Sequence, residues 1–246
     1  MLLRRACSIG LRACGIVGRN ERQHKTLKMK ISEKLKIDLI SEMNLERLFQ
    51  KHVVDGSSYI FRDHLGRPDD EYHLRHEIAI ACDCSINDVI IVGSAKLGFS
   101  VKTKNFVEFD ALYKESNKTR DKSDIDIAVV NREHFDKLTQ SIYLTSNHFD
   151  KNWISNNWKY NQYNTNPDAN LFLNYVEYIA KGWARPDYLP TACIDESEWK
   201  IVCNKWRNRL DRKVSVGIYS NWFYLKSYHI EYLATLRAKM KILQIK

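Results

Sequence analysis

Apolar positions Ile31, Leu35, Leu39, Met43 and the Leu48/Phe49 pair recur at helical spacing, which predicts an amphipathic helix over 31–52 closed by Asp55-Gly56-Ser57-Ser58. A turn at Gly66-Arg67-Pro68, followed by the acids Asp69 and Asp70, predicts a second helix from about 69 to 82. The β-branched run at 88–92 predicts a short buried strand, broken by Gly93-Ser94, with a helical turn through Leu97. Residues 101–122 are polar and carry Lys102, Lys104, Lys114, Lys118, Arg120 and Lys122, so a loop or mobile insertion is expected there. Ile125 to Val130 predicts the second strand, and helical segments are expected over 132–149 and 150–163. Asn166-Pro167-Asp168 predicts the start of a helix with Phe172, Tyr175, Val176 and Ile179 on one face, stopped by Gly182 and Pro186. A helix over 195–210 with Trp199, Val202 and Trp206, a third strand over 214–219 and a long helix over 222–244 complete the chain. In that last helix Phe223, Tyr228, Leu233, Leu236, Met240 and Leu243 are the expected packing positions. The pattern is helix-rich with a small sheet, which places the chain in the α+β or α/β class, α+β being the one expected.

A hydrophobic fraction of 44% and an aromatic fraction of 11% supply a core and exclude a disordered chain. No run reaches 18 consecutive apolar residues, so no membrane-spanning helix is expected. The net charge of +9 is unevenly placed: residues 1–30 hold eight bases and one acid, and the remaining residues hold 31 bases and 29 acids. The body is nearly neutral, which weakens the case for a nucleic-acid-binding face. The acid-poor, Arg-containing residues 1–28 read as a tail outside the fold. They are either a segment upstream of a true start at Met29, the favoured reading, or a targeting peptide. Cys82 and Cys84 are one residue apart and no matching pair exists, so free thiols in a reducing, cytoplasmic setting are expected rather than a zinc site or disulfides. His73 and His76 share a helix face without a third ligand and read as helix surface or the edge of the core. The six tryptophans are expected in core and inter-helix packing.

The chemistry lies in Val92-Gly93-Ser94 and, further on, Ser123-Asp124-Ile125-Asp126. On a strand, residues i and i+2 point the same way, so Asp124 and Asp126 share a face. Two neighbouring carboxylates repel, and a divalent cation relieves that repulsion; Mg²⁺ is satisfied by one or two carboxylates plus phosphate oxygens and water. Gly93 permits close backbone approach, Ser94 and the following amides suit a phosphate, and Lys96 is a candidate for added positive charge against it.

These residues resemble the DNA polymerase β-like nucleotidyltransferase superfamily, whose signature is an apolar strand, Gly-Ser or Gly-Gly, a spacer, then acid-apolar-acid on the next strand. Ser123 before the first acid and the apolar run after the second also match. The motif covers about residues 86–130, and the order of elements extends the likeness through about 220. The resemblance implies a mixed sheet flanked by helices, with a helix-rich C-terminal part, and a nucleotidyltransferase-like domain over 29–220 followed by a C-terminal helix over 221–246. It implies transfer of a nucleoside monophosphate from a nucleoside triphosphate to an acceptor hydroxyl with Mg²⁺ or Mn²⁺. Asp124 and Asp126 become the catalytic metal ligands; Gly93, Ser94, Lys96 and Ser123 become nucleotide contacts. The acceptor stays open among an RNA end, a protein and a small molecule, and a protein partner is a further expectation. Similar proteins of this size include antibiotic-modifying enzymes and components of bacterial toxin–antitoxin or anti-phage systems.

Two features depart from the family pattern. The spacer from Ser94 to Asp124 is long, and the strand over 214–219 carries no third carboxylate. Asp211, just before that strand, is the nearest candidate. Three other readings therefore stand beside the enzyme: a catalytically degenerate module that binds nucleotide or regulates a partner, a metal-dependent nuclease, and a structural interaction protein. Tyr219, Asn221 and Tyr228 would line the cleft if the 214–219 strand adjoins the site, core packing being their expected role.

Overall fold

A computed structural model describes residues 29–42, 44–100, 106–158, 171–185, 188–190, 193 and 197–244. The tail over 1–28, Met43, Lys102, Lys104, the helix start at 166–168, Pro186 and the C-terminal pair 245–246 lie outside the described residues. The N-terminal part holds α1 (Ile31–Ser41), α2 (Leu45–Phe49) and α3 (Pro68–Ala81). Then come β1 (Val89–Val92), α4 (Gly93–Leu97), α5 (Ala111–Ser116), β2 (Ile125–Val130), α6 (Arg132–Thr145), α7 (Lys151–Asn157) and α8 (Leu171–Ala180). The last part holds β3 (Trp183–Ala184), α9 (Glu198–Leu210), β4 (Val214–Tyr219) and α10 (Trp222–Gln244). No described helix is long and apolar enough to cross a membrane.

The class is α+β, with a small mixed sheet in the order β1-β2-β4-β3. β1 runs antiparallel to β2, β2 parallel to β4, and β3 antiparallel to β4. Successive side chains of a strand point to opposite faces, so the two faces build separate cores. Ile91, Ile125, Ile127, Val129, Val216 and Ile218 pack toward one core with residues of α3, α6, α8 and α9. Ile90, Ala128, Val130 and Tyr219 pack toward the other with residues of α1, α2 and α10. Each fully buried branched or aromatic side chain contributes about 1.5–3 kcal/mol relative to exposure. The helices thus hold the sheet between two layers, and α10 lies against α1, α2, β2 and β4.

Three expectations are corrected, and one strand is added. The single helix predicted over 31–52 is divided, because the Asn44 side chain accepts from the backbone N–H groups of Glu46 (2.8 Å) and Arg47 (3.1 Å) and starts α2 as a new helix. A π-helical turn over Gln50–Val54 then extends α2. The described part of the 101–122 segment is not a free loop: Phe109 and Asp110 are buried, and Glu108 bridges to Phe99. Arg212 Nη1 and Nη2 donate to Asp110 Oδ1 at 2.7 Å and Oδ2 at 2.5 Å, which ties this segment to the start of β4. The strand β3 was not predicted, since two residues carry no periodicity. Phe223, expected in packing, is exposed, whereas Leu225, Leu233 and Leu236 of the same helix are buried.

Candidate functional site

The site begins where β1 ends. Gly93 adopts φ +66°, in the left-handed region that favours glycine, and opens α4 directly after Val92. In the sheet register Val92 faces Asp126, so the turn and the carboxylate meet. A Cβ on Gly93 would stand 3.2 Å from Asp126 Oδ2. On the other side Asp126 pairs in register with Ser215, whose Oγ donates to Asp126 Oδ1 at 2.8 Å. Asp124 sits one residue before β2, partly exposed, with Lys213 Nζ 3.5 Å from its Oδ2. Ser94 is partly exposed in the first turn of α4.

Two of the expected nucleotide contacts point elsewhere. Lys96 is 1% exposed; its Nζ donates to the Gly56 carbonyl and lies 3.9 Å from Glu71 Oε1. Burial pushes its ammonium down to about 8, against the raising effect of Glu71. Because α4 is short and packs on the N-terminal helical segment, Lys96 braces the loop around Gly56 rather than facing Asp126. Ser123 is held by Asp110: its N–H donates to Asp110 Oδ1 at 2.9 Å, and its Oγ accepts from the Asp110 N–H at 2.9 Å. Burial pushes the Asp110 carboxyl up, but the Arg212 and Ser123 hydrogen bonds outweigh it and leave it below its usual range.

Asp211 is the nearest candidate for the third carboxylate that the sequence lacks. That residue has φ +50°, is exposed, and pairs with Lys122 at 2.6 Å. Among the described residues no group of three or more His, Cys, Asp or Glu side chains could hold a metal ion by itself. The donor set is Asp124 and Asp126, with a hydroxyl at the β4 position beside Asp126. That set fits a cation completed by phosphate oxygens and water, and does not fit an all-protein cage.

Asp126 lines a partly open cleft between the sheet and α10. Gly93, Ser215 and Gly217 line it together with the aromatic residues Trp183, Tyr219 and Tyr228. Arg185 and His229 complete it. The Trp183 indole stacks on Tyr219 at 5.0 Å and 12°, with the Arg185 guanidinium 5.0 Å from its centroid. Gly217 makes this possible: a Cβ there would meet Trp183 Nε1 at 2.4 Å. Burial raises the phenols of Tyr219 and Tyr228 and pushes His229 down to about 4, so His229 is neutral at pH 7. Arg185 and His229 were not singled out from the sequence, and Trp183 was expected in packing. One signal was available: a glycine inside a strand marks a place where another group approaches the backbone closely, and Gly217 marks Trp183. The placement of Tyr219 and Tyr228 follows from β4 adjoining β2, the condition stated for them above. Asn221 is not among the residues lining the cleft; its side chain accepts from the Phe223 N–H at 3.0 Å at the start of α10.

Comparison with protein-family models, with curated proteins and with solved structures gives no match to this chain.

Proposed function

We propose that the chain is a nucleotidyltransferase similar to the DNA polymerase β-like enzymes, moving a nucleoside monophosphate from a nucleoside triphosphate to an acceptor hydroxyl. The observation that carries this reading is the meeting of Gly93 and Asp126 in the lining of one cleft, with 3.2 Å between Asp126 Oδ2 and the position a Gly93 Cβ would take. A side-chain-free turn beside a carboxylate is what close approach of a phosphate and its cation requires.

In this reading Asp124 and Asp126 hold the Mg²⁺ or Mn²⁺. A cation held there would supply positive charge against the phosphate oxygens. The Gly93-Ser94 turn orients the phosphates, and Ser215 fixes the Asp126 carboxylate through its 2.8 Å hydrogen bond. The acceptor hydroxyl oxygen attacks the α-phosphorus and releases its proton to solvent water as the bond to the bridging oxygen breaks and pyrophosphate leaves. The aromatic residues of the cleft take the nucleoside. The near-neutral body favours a small molecule or a protein acceptor over a large RNA.

A second reading has its own observation. The β4 position paired with Asp126 carries the Ser215 hydroxyl and no acid, which favours a module that binds nucleotide and regulates a partner with little turnover.

Incubation of the chain with α-³²P-labelled nucleoside triphosphates, Mg²⁺ or Mn²⁺ and a cell extract separates these readings. The Asp124→Asn/Asp126→Asn variant is the control. Label moved to an acceptor by the wild type alone supports transfer and reports the acceptor class. Metal-dependent binding without transfer, lost in the variant, supports the regulatory module. Neither outcome in the wild type overturns both.

A further inference from the structure

β2 begins at Ile125, so the strand ladder that seats Asp126 between Val92 and Ser215 does not reach Asp124. The first carboxylate of the pair is placed by other contacts, and its backbone is gripped on both sides. After it, the Ile125 N–H donates to the Lys213 carbonyl at 2.8 Å. Before it, Ser123 is held at its N–H, its hydroxyl and its carbonyl. Asp110 Oδ1 accepts from the Ser123 N–H and the Asp110 N–H donates to Ser123 Oγ, both at 2.9 Å. Arg212 Nη1 donates to the Ser123 carbonyl at 3.3 Å. Arg212 is bound to both Asp110 oxygens, and its Nη2 also donates to His64 Nε2 at 3.1 Å. The Phe109 N–H donates to the carbonyl of Gly98, the residue that ends α4. The segment carrying Asp110 therefore joins the helix of the Gly93-Ser94 turn to the start of β2.

The Asp110 and Arg212 side chains are only 3% and 5% exposed. A buried ion pair is a weak source of stability, because removing both charges from water costs about as much as their attraction gains. What this pair adds is direction. A planar guanidinium bound through two nitrogens allows one orientation of the carboxylate, and that carboxylate holds Ser123. Two carboxylates share one cation only when their oxygens converge, and groups that orient metal ligands from behind set affinity by about 10–100-fold. We propose that Asp110 and Arg212 are positioning residues: through Ser123 they set the place of the Asp124 carboxylate relative to Asp126, and with it the affinity of the pair for a divalent cation. This rests on the metal-dependent reading given above and adds to it two residues that do not touch the cation.

The probe is Mn²⁺ alone, titrated into the full chain and followed by electron paramagnetic resonance of the free ion up to millimolar concentration. Asp124→Asn/Asp126→Asn defines binding at the pair. Asp110→Leu/Arg212→Met removes both charges together, so the net charge is unchanged and a loss of affinity reports geometry. Asp110→Asn/Arg212→Gln also leaves the net charge unchanged, yet keeps an acceptor for the Ser123 N–H and a donor for its carbonyl. Thermal melting establishes which variants fold. The wild type should bind Mn²⁺ and Asp124→Asn/Asp126→Asn should not. The apolar pair should bind at least about tenfold more weakly than the wild type, and the amide pair within about threefold of it. If the apolar pair does not fold, Ser123→Ala takes its place: it removes one contact, leaves the ion pair, and should weaken binding by about threefold. Wild-type affinity in the apolar pair, or in Ser123→Ala where it stands in, overturns the inference and leaves the cation site in place. Equal weakening in the apolar and amide pairs would show general loosening rather than a grip on Ser123, and overturns it too. No Mn²⁺ binding by the wild type overturns the inference together with the cation reading.

Discussion

Gly93 and Gly66 hold almost the same backbone conformation, with φ of +66° and +65°. They differ in what a side chain would meet: Asp126 Oδ2 at 3.2 Å for Gly93, and nothing within 4 Å for Gly66. Replacing each by alanine therefore separates backbone strain from crowding of the carboxylate. An L-residue in the left-handed region costs about 1–2 kcal/mol. The stiffer unfolded chain offsets roughly 0.4–1 kcal/mol of this, leaving a net loss on the order of 1 kcal/mol in either variant. For a chain of this size that is about 2–4 °C in Tm. In Gly93→Ala the carboxylate must also retreat by a few tenths of an ångström from a methyl group, against its 2.8 Å bond from Ser215. A hydrogen bond to a charged group is worth about 1.5–3 kcal/mol and would be stretched rather than broken, so the added loss stays below about 2 kcal/mol. Both variants should therefore fold, with Tm values less than about 8 °C apart. Calorimetric titration with a nucleoside triphosphate and Mg²⁺ should then separate them. Gly66→Ala should bind as the wild type does, and Gly93→Ala at least about tenfold more weakly, the consequence of losing about 1.4 kcal/mol. Wild-type binding by Gly93→Ala, or equal weakening in Gly66→Ala, would refute the assignment of the turn to the site.

Arg212→Met leaves the Asp110 carboxylate buried without its guanidinium and should cost about 3–5 kcal/mol in denaturant unfolding. Pairing it with Asp110→Leu should recover a large part of that loss. Asp110, held below its usual range, stabilises the fold above the carboxylate's unfolded value near 4, and this contribution should fade as the pH falls further. His229 has the opposite origin: burial lowers it to about 4, so the unfolded chain binds its proton first as the pH drops from about 6.5. Wild-type stability should therefore fall between about pH 6.5 and 4 by an amount on the order of 3 kcal/mol that is missing from the pH profile of His229→Leu. Lys96, lowered to about 8 by burial, should make the fold gain stability as the pH rises from there toward the unfolded lysine value of about 10.4. Lys96→Met should show no such gain in the same denaturant series.

The parts of this fold that were legible in the sequence are those fixed by local pattern. The β-branched runs mark β1, β2 and β4 within a residue, and the spacing of Gly93 and Asp126 anticipates two chain segments that meet. What escaped depends on neighbours remote in sequence. The Lys96 side chain could turn either way from a helix as short as α4, and packing against Gly56 and Glu71 decided it. The segment holding Asp110 reads as a polar loop until Arg212 is placed beside that acid. β3 exists only because Trp183 and Ala184 pair with Tyr219 and Ile218. The Asn44 cap was a readable local signal, outvoted by an apolar period that runs on through it.

The parallel pairing of β2 with β4 also governs when the cleft comes into being. A parallel pair needs a crossover, and here it comprises everything between Val130 and Val214, including α6, α8, β3 and α9. On a ribosome β1 and β2 emerge early and can join. The other edge of β2 then waits, with unpaired backbone groups and Asp126 in water, until β4 is made. Closing so long a loop is slow, which leaves a half-built sheet as the species most open to aggregation or to a chaperone. The carboxylate gains its serine partner, its aromatic walls and its helical roof only in the last stage of synthesis, so a chain cut short before β4 would carry the Gly-Ser and Asp-Ile-Asp motifs and have no cleft.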